Sequence, residues 1–136
     1  MNLTGMTGRP ATVVAALPLH DATVNHLIQD GKVLELAVEL CAWPSDDLSL
    51  PRYQGSGMLR FLRVKWVGGN LPWQPFWREP EWGIEVLMGR TSAERQDHVE
   101  LTLEVQKYGS DEREIVTLHV AADEAEWVPD SAVTSG

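Results

Sequence analysis

From His98 to Tyr108 the chain sorts its residues by parity. Val99, Leu101, Leu103 and Val105 fall on one side, and Glu100, Thr102, Glu104 and Gln106 on the other. A helix would scatter these positions around its axis, whereas a strand separates them cleanly into two faces. The segment therefore reads as a half-buried strand, and the same period recurs along the chain. From Lys32 the even positions are Leu34, Leu36, Val38 and Leu40, while Glu35 and Glu39 occupy odd ones. Met58 to Val67 is a further strand, with Leu62, Val64 and Trp66 on one side and Arg63 and Lys65 on the other; Arg60 and Phe61 break the alternation, so both faces are expected to be partly covered. Gly83 to Gly89 is a shorter one, with Ile84, Val86 and Met88 in phase.

Two hairpins follow from the turn chemistry. Asp30-Gly31 joins Thr23–Gln29 to the strand that begins at Lys32, because such a dipeptide accepts the positive φ of a two-residue turn. Gly109-Ser110-Asp111 reverses the chain so that Glu114–Val120 returns along His98–Tyr108. No long window carries an apolar stripe at helical spacing. Thr91–Asp97 offers one helical turn at most, with Ser92 as its cap. Six or seven strands within 136 residues predict an all-β chain with little or no helix, folded as a single antiparallel β-sandwich or a partly open barrel.

A chain of 136 residues suits a single domain over 1–136, with an ordered core at about 11–129 and frayed termini. The one cysteine, Cys41, makes an intramolecular disulfide impossible and leaves a Cys-based zinc site without ligands. It belongs to the Glu35/Glu39 face, where acids oppose thiolate formation. No apolar run approaches the ~20 residues of a membrane span. The run Ala11–Leu17 is too short for a signal core, and a cytoplasmic location is expected. Twenty acids against 11 cations give a net charge of -9, which disfavours nucleic acid as a partner. Residues 52–78 hold no acid and five cations, Arg52, Arg60, Arg63, Lys65 and Arg78.

Candidate working residues fall in two places. Four of the six tryptophans, Trp66, Trp73, Trp77 and Trp82, lie within seventeen residues. Prolines 72, 75 and 80 prevent the stretch 71–82 from forming a helix or central strand. As a loop it either plugs the sheet with its indoles or presents Trp73, Trp77, Arg78 and Trp82 to a partner or a sugar. The plug is the expected state of at least one of them. The second place is His20-Asp21, with His26 downstream. The two histidines share a face of an extended segment but stand ~20 Å apart, too far for shared ligation. Asp21 is equally suited to accept backbone N–H groups at the entry of the strand. His98 and His119 belong to the last hairpin and are placed to face each other. Glu100 and Glu104 share one strand face. No phosphate loop, nucleophile elbow or His-Glu-x-x-His is present, so no catalytic residue, cofactor or metal is assigned.

The run Leu19-His20-Asp21-Ala22-Thr23-Val24, then Gln29-Asp30-Gly31-Lys32-Val33-Leu34-Glu35-Leu36 and Gly57-Met58-Leu59-Arg60-Phe61, resembles small bacterial β-proteins. These carry His-Asp-(Ala/Ser)-x-(Val/Leu) ahead of a first hairpin and later a Gly-x-Leu-x-Phe strand, and some are immunity-protein-like. The resemblance covers about the first half of the chain and leaves out the loop 71–82. It implies an all-β fold without established catalytic residues. With the acidic surface, it makes a non-catalytic protein-binding domain the leading expectation, antitoxin-like toward a basic protein partner or else self-associating. The alternative is a small-molecule or carbohydrate binder, or a hydrolase, that uses the loop 71–82.

Overall fold

The computed structural model describes residues 5–17, 19–42, 53–69, 76–78, 82–107, 111 and 113–130. The elements are β1 (Met6–Gly8), α1 (Pro10–Ala16), β2 (Thr23–Asp30), β3 (Val33–Ala42), β4 (Tyr53–Gly69), β5 (Phe76–Arg78), β6 (Trp82–Thr91), β7 (His98–Lys107) and β8 (Arg113–Pro129). All pairings are antiparallel. The ring runs β8-β4-β3-β2-β6-β7 and returns to β8, with β1 added to the edge of β8 and β5 to β2. The all-β expectation holds, and the architecture is a closed barrel.

Ring closure rests on the length of β8. Its first half pairs with β7, from Gln106↔Arg113 to His98↔Ala121. Its other edge pairs with β4 from Gly69↔Leu118 to Gly57↔Pro129. Beyond Ala121 the place of β7 is taken by β1, through Met6↔Trp127. Closure removes the exposed edges that make an open sheet prone to strand addition.

The alternating residues fill the interior. Leu34, Leu36, Leu59, Phe61, Leu101, Leu103, Leu118 and Val120 belong to one continuous core. The short helix α1 starts with Pro10 at its first turn, where a missing N–H costs nothing. It packs on β1, β6, β7 and β8 and delivers Val13 and Val14 to the core. It forms at the run 11–17, while Thr91–Asp97 makes an irregular turn in place of the helical one; Ser92 Oγ still accepts the Glu94 N–H at 3.2 Å. The first hairpin turns on Gly31-Lys32, one residue later than expected. Asp30 pairs with Val33, and Gly31 takes the positive φ of 60°.

One expectation about phase is overturned. Leu59 and Phe61 are buried, but so is Val64, while Leu62 is only half-buried and Trp66 is 51% exposed. Arg63 sits at φ 52°, and the register against β8 slips between Val64 and Trp66. The partner strand changes parity at the same level: Val120 and Ala122 are buried, then Ala125 and Trp127, with Asp123 and Glu124 both turned outward. Both strands therefore bend together, as bulged strands do at the corner of a barrel. Trp66 is carried to the outer face. Among the described residues the buried indole is Trp127, for which Gly57 leaves the room.

Candidate interaction surface

Trp66 on β4, His98 on β7 and His119 on β8 meet on the outside of the barrel. Trp66 stacks on His98 with ring centroids 6.1 Å apart and planes at 24°. His119 lies 6.0 Å from Trp66 and 5.7 Å from His98. The register dictates this grouping, since Trp66 and His98 both stand opposite Ala121, and His119 stands opposite Gly68. Ala121 is small and Gly68 has no side chain, so the indole lies down over the sheet. A Cβ on Gly68 would come within 2.6 Å of its Cζ2.

Charged side chains frame the rings. Lys65 Nζ reaches Asp97 Oδ2 at 3.4 Å and Asp123 Oδ1 at 3.1 Å. Arg63 Nε lies 3.4 Å from Asp123 Oδ2, and its Nη2 3.9 Å from Glu124. Hydrogen bonds from Lys65 hold the Asp123 and Asp97 carboxyls below their ordinary range, and the two carboxylates in turn raise the lysine. Burial, then the Arg95 and His119 charges, push His98 below its ordinary value of 6.5. Its imidazole is accordingly biased toward the neutral form that stacks without repulsion. The cluster has an apolar centre and a polar rim, which is how protein-binding surfaces are built.

The His20-Asp21 pair sits on a different part of the barrel. Asp21 occupies φ 65°, a conformation that Asp tolerates better than most residues. It donates its N–H to Val86 O at 2.9 Å, which pins the turn to β6. His20 Nδ1 lies 2.8 Å from Leu87 O, and Nε2 lies 3.5 Å from Asp21 Oδ2. The Glu85 carboxyl is raised by burial, then by the nearby Asp21 and Glu104 charges. Glu104 stands opposite Glu85 and is held by Arg113 at 3.0 Å.

His26 does not join His20. Its Nε2 is 3.5 Å from Glu35 Oε1, at one end of an ion ladder across β3, β4 and β8. There Arg60 Nε donates to Glu35 at 2.8 Å and Arg60 Nη1 to Glu126 at 3.4 Å. Cross-strand partners of opposite charge support the sheet, so this row is structural.

Trp77 and Arg78 lie on β5, opposite Leu27 and His26, and Trp82 opens β6 opposite Lys107. Whether their indoles plug or project lies outside the described residues, as does Trp73. The phase slip hid Trp66 from the sequence. Glu85 was hidden because it comes near Asp21 only through the fold. Among the described residues no group of three or more His, Cys, Asp or Glu is gathered to hold a metal, and no helix is long and apolar enough to cross a membrane. No family model, curated protein or solved structure matches the chain.

Proposed function

We propose that the chain is a non-catalytic protein-binding barrel, antitoxin-like in action, that meets a basic partner through the patch around Trp66. The observation that carries this reading is the half-exposed indole stacked on His98 and His119 inside a rim of paired charges. An exposed indole leaves apolar surface in water, and a partner that covers it gains by removing that surface from solvent. The net charge of -9 steers a basic protein toward such a surface and speeds the encounter. A cytoplasmic setting is part of the same proposal.

The test uses the intact chain and Trp66→Ala as paired baits in a lysate of the source cells. A partner held by the first and released by the second, with affinity reduced by ~2 kcal/mol or more and an unchanged melting midpoint, supports the reading. Its association rate should fall as salt rises. A partner held equally by both baits, or none at all, overturns it.

A further inference from the structure

The four histidines divide by what their nitrogens already do. His20 engages Leu87 O through Nδ1, and the Nε2 of His26 is enclosed beside Glu35. His98 and His119 differ from both. Among the described residues neither of these imidazoles has a hydrogen-bond partner, and neither has a nitrogen sealed from solvent. A neutral imidazole keeps a lone pair on one nitrogen, so this pair offers two lone pairs that the protein itself does not use.

The sheet sets their spacing. His98 stands opposite Ala121 and His119 opposite Glu100, so the two imidazoles are diagonal neighbours on one outer face. Trp66 lies against both, at 6.1 and 6.0 Å. The rings are thus held before any ligand arrives, which lowers the ordering cost of binding. Their centroids are 5.7 Å apart. An ion about 2.1 Å from one nitrogen of each ring places the centroids about 4.5 Å apart for a right-angled N–metal–N and about 6.4 Å apart for a linear one. The observed spacing lies inside that interval.

We propose that His98 and His119 together chelate a late first-row divalent transition ion, with water completing its coordination. Imidazole suits copper, nickel and zinc, and copper(II) binds a given nitrogen site the most tightly of the three. Among the described residues no third His, Cys, Asp or Glu joins the pair, so the ion keeps open positions. Of the charges that act on His98, Arg95 opposes a cation, whereas Asp97 and Glu100 favour one. The site shares its rings with the Trp66 patch, but the ion binds the chain alone and needs no protein partner. Either proposal therefore stands if the other fails.

The experiment titrates copper(II) chloride into the full chain by calorimetry, while proton NMR follows the four imidazoles with His20 and His26 as internal references. The expected result is one ion per chain, with paramagnetic broadening of His98 and His119 at ion levels that leave His20 and His26 sharp. His98→Gln and His119→Gln should each weaken binding about ten-fold or more, since losing even a group behind a ligand has that effect. Zinc(II) should bind the same pair more weakly. Trp66→Ala keeps both imidazoles and should still bind copper(II) saturably while releasing a protein partner, which separates this assignment from the protein-binding reading. Melting midpoints verify that each variant folds. No saturable binding, broadening of His20 or His26 first, or an affinity unchanged in both glutamine variants overturns the assignment.

Discussion

Gly57 and Trp127 divide one volume between them. A Cβ built on Gly57 would lie 2.7 Å from Cζ2 of the indole and 2.6 Å from Val128 O. Trp127 is among the largest fully enclosed side chains of the core, and it stands beside Leu59 across the β4–β8 ladder. Gly57→Ala is therefore expected to destabilise the fold by ~1–3 kcal/mol through overpacking, and Trp127→Ala by ~3–5 kcal/mol through the cavity it leaves. Urea unfolding reads both, and a midpoint unchanged in either variant would contradict the packing.

Trp66 makes the opposite prediction. Its indole is on the outer face, so Trp66→Ala should change stability by less than about 1 kcal/mol while abolishing the intrinsic fluorescence response to His98 titration. Proton NMR of the imidazoles should place His98 below 6.5. A loss of cooperative unfolding in the variant would return Trp66 to the core.

Glu85 supplies a pH test with a definite sign. Its carboxyl is raised above the ordinary 4.5 in the folded state, so folding favours the protonated form. The resulting penalty is absent at pH below the unfolded value, grows as pH rises through the folded one, and is complete above it. Glu85→Gln should accordingly raise the melting midpoint at pH 7 and lose that advantage by pH 4. For so exposed a group the gain stays under about 1 kcal/mol. A variant less stable than the parent at pH 7 would be the contrary result.

Gly31 isolates backbone conformation from packing. Its φ is 60°, and an added Cβ would meet nothing within 4 Å. Gly31→Ala is expected to cost ~1–2 kcal/mol from the left-handed conformation alone, and Gly31→Asn distinctly less. Equal thermal midpoints for both variants would show that the turn readjusts.

Where one phase runs the length of a strand, as in β3 and β7, parity alone places each residue. β4 changes phase at Arg63 and slips again between Val64 and Trp66, so a single period run through Val64 in both directions assigns Leu62 and Trp66 to the wrong side. The signal was present in β8, where Asp123 and Glu124 follow Ala122 in immediate succession and interrupt the alternation. The helix α1 has seven residues, too few to display a stripe, although Pro10 marks its start. The nearness of Asp21 to Glu85 depends on β2 pairing with β6, a choice of neighbour that periodicity does not encode. The Trp66 patch required both pieces of missing information, the phase and the ring closure.

The ring is sealed by its last strand. Until β8 is in place, β4 and β7 each carry an unpaired edge, and synthesis has to pass Arg113 before either is covered. Native contacts are therefore mostly distant in sequence, which places the barrel among slow-folding topologies. A nascent chain halted before Arg113 would present two sticky edges and an uncovered core, so β8 acts as the barrel's own protection against association during its production.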